Sequence, residues 1–216
     1  MISCRQRWEE RERSLASLAA QGVSVTVIES PCEPASRREN RRVGCEALEA
    51  APAGEGVLFC EDDVRANGRL PAFLRLAVER DVTVVMCLLR DACLNEVTQA
   101  EVRAGRPMRP RLERIRVRNW YGTQCVYLPR RVVDAVLAHP TRDTPRPGLT
   151  TFDGIDFLIR DVLLELGEPV YAALPNPVQH TAPPSVVAGK GQARTSSTAN
   201  LRADRPMSMA TIDDWR

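Results

Sequence analysis

The chain has 216 residues and a mass of 24.0 kDa, enough for one domain, or one domain with a tail. A net charge of +2 argues against binding nucleic acid through bulk positive charge, so any basic face has to be local. Seven cysteines without a C-x-x-C pair, and two histidines remote from any cysteine cluster, argue against a disulfide framework and a zinc site, and favour a reducing compartment.

In chain order, Ile2–Cys4 reads as a short first strand. Residues 7–21 read as a helix with Trp8, Leu15, Leu18 and Ala19 on its apolar side, closed by Gly22. The β-branched run Val23-Ser24-Val25-Thr26-Val27-Ile28 predicts a second strand, so the chain opens β-α-β, which implies parallel pairing. A Pro-containing loop leads to a helix over residues 39–51. Gly56–Cys60 is continuously apolar, as expected of a strand covered on both faces, and Glu61-Asp62-Asp63 follows at once.

A helix over residues 69–79 and a buried-type strand over Val82–Leu89 come next. Residues 103–118 carry seven arginines. Part of this stretch reads as a strand with Leu112, Arg114, Arg116 and Arg118 on one face and Glu113, Ile115 and Val117 on the other. Gln124–Leu128 reads as a strand, Pro129–Ala138 as a helix with Pro at its start, Asp153–Leu166 as a helix ended by Gly167, and Pro169–Leu174 as the last strand. The expected architecture is α/β with a mostly parallel sheet, organised as one domain over residues 1–180 and a tail or lid over 181–216. From Pro175 onward the composition is that of a tail. No apolar run reaches the length of a membrane span and the N-terminus lacks an apolar signal core, so a cytoplasmic location is expected.

The three consecutive acids carry the chemistry. Adjacent carboxylates raise one another's pKa unless a cation is present. Mg²⁺ or Mn²⁺ would remove that penalty, being held by one or two carboxylates together with substrate phosphates. A solvated acidic turn is the plainer reading. The run Gly56–Val64, with Glu-Asp-Asp after an apolar strand, resembles the metal-binding segment of GT-A-fold, Rossmann-like glycosyltransferases, particularly the family-2-like and lipopolysaccharide-type enzymes. Ser3-Cys4-Arg5-x-Arg7, Asn40–Ala51, Tyr121-Gly122-Thr123-Gln124 and Val178-Gln179-His180 resemble further segments of those enzymes in the same order.

That resemblance implies Asp63 and His180 as metal ligands, with Glu61 or Asp62 on the donor ribose or the metal's water shell. It implies Arg5 and Asn40 as nucleotide contacts and Asp156 as the base toward the acceptor hydroxyl. Asp153, the second catalytic candidate, reads first as the helix N-cap, and Asp156 reads equally as base or as capping residue. Trp120 and Tyr121, beside Gly122, suit an acceptor platform or core packing. Lys190 and Arg194 suit a cover over the donor diphosphate. The implied activity is sugar transfer from a nucleoside-diphosphate sugar, most often a uridine one. The acceptor would be a glycan, a lipid-linked sugar, a protein or a hydroxylated DNA base. Two other readings are kept. Nucleotidyl transfer also uses strand-end acids, but no Gly-rich phosphate loop is present. A non-catalytic nucleic-acid-binding module would rest on the arginines of 103–118 alone.

Overall fold

The computed structural model describes residues 1–4, 7–30, 37–88, 91–104, 108–120, 122–145 and 153–180. The apolar runs become strands and the 3.6-period stretches become helices, in the order β1 (Ile2–Cys4), α1 (Trp8–Ala19), β2 (Ile28–Ser30), α2 (Arg37–Glu49), β3 (Val57–Cys60), β4 (Val64–Ala66), α3 (Leu70–Arg80), β5 (Thr83–Val85), α4 (Glu96–Arg103), β6 (Arg111–Arg114), β7 (Cys125–Leu128), α5 (Arg130–Ala138), α6 (Ile155–Glu165), β8 (Val170–Leu174) and β9 (Val178–His180).

The main sheet has the order β3-β7-β5-β8-β6. It is mixed rather than mostly parallel. Only the β5–β8 pairing is parallel, and the β3–β7, β7–β5 and β8–β6 pairings are antiparallel. A continuous apolar strand records burial on both faces but not direction, so the reversal of β7 left no mark in the pattern. Strands β1 and β2 form a separate parallel ribbon, joined to β3 by one parallel bridge, Ile2 to Glu61. Strands β4 and β9 pair antiparallel.

Alternation along the strands divides the core in two. Phe59, Val85, Val126 and Ala172 face α2, α5 and α6, where Leu48, Val133, Leu158 and Ile159 are fully buried. Their strand neighbours Cys60, Val84, Cys125 and Ala173 face the opposite way, with Leu18 of α1 and Phe73 of α3. The result is three layers, helices on both sides of the sheet.

Several expectations shift. Residues 23–27 keep the alternation of a strand, with Val23, Val25 and Val27 half-buried and Ser24 and Thr26 exposed, but only Ile28–Ser30 pairs. Trp8 is 57% exposed and lies outside the core. The buried residues of α1 are Ser14 and Leu18. Helix α6 starts at Ile155 with Gly154 as its cap, so Asp153 is not the capping residue. The arginine-rich stretch forms a strand only over Arg111–Arg114 and then turns, with Arg114, Arg116 and Arg118 exposed around buried Ile115. Strands β4 and β9 have no counterpart in the sequence reading, β9 falling in the stretch read as a tail. No described helix is long and apolar enough to cross a membrane.

Candidate active site at the ends of strands β1 and β3

Strand β1 lies between β2 and β3. The chain steps from β1 to β2 on one side and returns to the other side for β3, so the direction of strand addition reverses at β1. In open α/β sheets, ligands bind beyond the carboxyl ends of strands at such a reversal. The Ile2–Glu61 bridge sets those ends side by side. Arg7, at the head of α1, crosses the gap. Its Nη1 donates to Asp63 Oδ2 at 2.6 Å and to Asp62 Oδ1 at 3.2 Å. Ser3 Oγ, on β1, donates to Asp62 Oδ2 at 3.0 Å.

The acids are fixed from behind by two serines of α1. Ser14 Oγ donates to the Asp62 carbonyl at 2.7 Å and accepts from the Val64 amide at 3.1 Å, and Ser17 Oγ accepts from the Ala66 amide at 3.2 Å. Their i, i+3 spacing puts both hydroxyls on one helix face, against the free edge of β4. On its other edge β4 pairs with β9 in a register that sets Val64 opposite His180. This brings His180 Nε2 to 3.1 Å from Asp63 Oδ2 across 117 residues of sequence. Asp62, Asp63 and His180 are all buried.

The three carboxyls differ in charge state because their surroundings differ. Burial alone would raise Asp63, but the hydrogen bond and charge of His180, and then Arg7, outweigh it and hold Asp63 below its usual value. Burial works against the imidazolium of His180, and the Asp63 carboxylate overcomes it, so His180 titrates above its usual value. Glu61 is pushed up to about 7 by burial first, then by the Asp63 and Asp156 charges, against the pull of His180 and of Thr123 Oγ1, which donates to Glu61 Oε1 at 3.0 Å.

A second group of side chains closes the site from the α2 and α6 side. Gly44 of α2 lies against Ile155, so close that a Cβ there would sit 2.6 Å from Ile155 Cγ1. That contact sets the middle of α2 against the start of α6. Asn40 Oδ1 accepts from the Ile155 amide at 3.0 Å, and Arg41, buried, donates to the Asp153 carbonyl at 2.9 Å. Asp156 Oδ2 accepts from the Gly122 amide at 3.3 Å. Gly122 has φ +98, and a Cβ there would meet Gln124 Oε1 at 2.5 Å, so both backbone angle and space call for glycine.

The structure therefore brings Glu61, Asp62, Asp63 and His180 into one cluster, with Asp156 and Gly122 beside it. Asn40 is committed to capping α6, and Asp153 contributes its backbone carbonyl. Trp120 is 1% exposed and packs in the core, so it is no acceptor platform. Arg5, Tyr121, Lys190 and Arg194 lie outside the described residues. Sequence reasoning gave no role to Arg7, Ser3, Thr123 or Ser14. Arg7 and Ser3 stood inside the quoted opening segment, but nothing local showed that they reach the acids.

Arg7 also revises the electrostatic argument for a metal, since a guanidinium already supplies countercharge to the acid run. Among the described residues no group of three or more His, Cys, Asp and Glu side chains is arranged to hold a metal ion. Asp63 and His180 are one oxygen and one nitrogen donor in contact. That donor set fits an ion completed by phosphate oxygens and water, provided His180 is neutral. No family model matches the chain, and no curated protein matches it.

Proposed function

We propose that this chain is a glycosyltransferase that takes a sugar from a nucleoside-diphosphate sugar, a uridine one foremost, and passes it to an acceptor hydroxyl. The observation that carries the reading is the buried Asp63–His180 pair, set with Arg7 and Asp62 where β1 and β3 end side by side. Acids, a cation and an imidazole converge where the sheet's strand order favours a phosphate-bearing ligand. The collinear sequence resemblance adds the reaction class. Mn²⁺ or Mg²⁺, held by Asp63 and His180, would supply Lewis-acid stabilisation of the departing diphosphate.

In this reading Arg7 holds Asp63 ionised and aimed at its ligand. Asp156, steered by the Gly122 amide, takes the proton of the acceptor hydroxyl as that oxygen bonds to the anomeric carbon and the bond to the diphosphate breaks. Glu61, kept protonated more readily than its neighbours, is placed to donate a hydrogen bond to a sugar or ribose oxygen.

The arginine-rich stretch supports a nucleic-acid module only in part: Arg111 is held by Glu101 at 3.1 Å and Glu113 at 3.2 Å, Arg114, Arg116 and Arg118 are exposed, and the module gives no role to the buried Asp63–His180 pair. The test is thermal stabilisation by UDP with and without Mn²⁺, against ATP and duplex DNA. Stabilisation by UDP that requires Mn²⁺ and is lost in Asp63→Ala is expected. Stabilisation by ATP in place of UDP would favour nucleotidyl transfer, and by DNA alone the binding module.

A further inference from the structure

The register of β3 and β7 sets two cysteines opposite each other. The Glu61 amide donates to the Gln124 carbonyl at 3.0 Å, so these two residues form a hydrogen-bonded pair of the antiparallel ladder. The next pair inward, Cys60 and Cys125, is therefore a non-hydrogen-bonded one. The other edge of β7 agrees, because the Cys125 carbonyl turns toward β5 and accepts from the Met86 amide at 2.9 Å and the Cys87 amide at 3.3 Å. In a non-hydrogen-bonded pair the Cα atoms stand about 4.5 Å apart and the side chains lean together. That spacing falls inside the Cα range of disulfides, about 4.4–6.8 Å.

The sulfurs are already in contact. Cys60 Sγ and Cys125 Sγ lie 3.2 Å apart across 65 residues of sequence, and both residues are buried on the α1 and α3 face of the sheet. Closing to an S–S bond of about 2.05 Å takes a movement of about 1 Å, within reach of side-chain rotation. Other buried thiols are placed differently. Cys87, two residues past β5, receives the His180 amide, Cys93 Sγ donates to the Asn119 carbonyl at 3.2 Å, and Cys45 lies on the opposite face of the sheet. Sugar transfer as proposed above gives neither Cys60 nor Cys125 a part. Their chain neighbours have one, since Cys60 precedes Glu61-Asp62-Asp63 and Cys125 follows Gly122-Thr123-Gln124. Glu61 is only half-buried, so solvent reaches to within one residue of the pair.

We propose that Cys60 and Cys125 are an oxidation site, a dithiol that hydrogen peroxide converts to a disulfide between the ends of β3 and β7. Burial pushes the Cys125 thiol up, which makes it the second thiol to react rather than the first. The Cys60 sulfur, as thiolate, attacks one peroxide oxygen and the O–O bond breaks. Cys60 becomes a sulfenic acid, and the released hydroxide takes up the Cys60 proton as water. The Cys125 sulfur then attacks the sulfenic sulfur, the S–O bond breaks, and the departing hydroxide leaves with the Cys125 proton as a second water. The two thiols give up two electrons and the peroxide is reduced to water. The new bond fastens the strand ends that carry the Glu61–Thr123 hydrogen bond, so oxidation stiffens that side of the site. The inference does not depend on the activity of that site.

The full chain, reduced and then treated with millimolar hydrogen peroxide, is read by intact mass and by tandem mass spectrometry of its proteolytic fragments. A mass loss of about 2 Da, a Cys60–Cys125 cross-link in the fragments and full return of both thiols with dithiothreitol are expected. The Tm of the oxidised chain should rise by roughly 5–10 °C, because the cross-link closes a long loop. Hydrogen exchange at the Glu61 amide should slow by about tenfold or more. Cys60→Ala and Cys125→Ala should each abolish the cross-link and the Tm rise, while Cys45→Ala and Cys87→Ala should keep both. A disulfide that joins Cys60 or Cys125 to another cysteine, a cross-link between two chains, oxidation that ends in sulfinic acid without a cross-link, or thiols at both positions that stay unreacted would each overturn the proposal.

Discussion

The two sides of strand β3 are built on different principles. Toward β7, β5 and β8 the sheet is continuous, four residues of β3 pair with four of β7, and both faces are covered by close-packed apolar side chains. Toward β1 there is one bridge, and the contact is completed by Arg7, Ser3 and the acids. The first side is held by burial, which is short in range and tolerant of which apolar residue supplies it. The second is held by a few charged hydrogen bonds spanning 55 residues or more, each of which requires a particular side chain. Stability is concentrated on one side of β3 and chemistry on the other.

Substitutions on each side should separate these roles. The largest loss is expected from Phe59→Ala on the packed side, about 3–5 kcal/mol in chemical denaturation, with ligand response retained in whatever fraction stays folded. Arg7→Gln on the other side should cost about 2–3 kcal/mol at pH 8, because it leaves Asp62 and Asp63 buried without their guanidinium, and the cost should shrink only as pH falls below the ordinary carboxylate value of 3.8, where Asp63 begins to lose its charge. A pH-independent loss in denaturation midpoints would mean that Arg7 acts by packing.

Glu61 sharpens the comparison in the opposite direction. Its folded pKa of about 7 lies above the ordinary 4.5, so the folded chain holds a proton that the unfolded chain releases. Stability from this group is therefore full below pH 4.5 and is lost as pH rises through 7. Glu61→Gln should match the parent chain at low pH and exceed it by about 1–2 kcal/mol at pH 8, discounted for its partial exposure. The measurement is a pair of Tm profiles with EDTA present, and parallel profiles would refute the assignment. The smallest effect is expected from Asn40→Ala, about 1 kcal/mol, from loss of the cap on α6, and its mark should be faster exchange at the Ile155 amide.

The same division explains what could be read from the sequence. Val57–Cys60, Cys125–Leu128 and Val170–Leu174 announced themselves as buried strands, and α3 and α5 as helices, because burial leaves a periodic record in the residues themselves. Pairing direction leaves none, which is why β7 escaped notice as an antiparallel strand. Strands β4 and β9 are three residues each and carry Arg65, Gln179 and His180, too short and too polar for a pattern. The acid run was conspicuous, and the sequence reading joined it to His180 by resemblance alone. Arg7 offered no such signal, since an arginine that meets a carboxylate far along the chain looks like any surface arginine. Val23–Thr26 was the converse case, a strand pattern that pairs with no described strand.

Ser14 and Ser17 tie the middle of α1 to β4, while Arg7 stands at the head of the helix and Asp63 at the foot of the strand. Rocking of α1 therefore swings charge and countercharge as one piece. A displacement of the helix as a unit would keep Asp62 and Asp63 beside Arg7, so the ion pair need not be broken for the two elements to shift together.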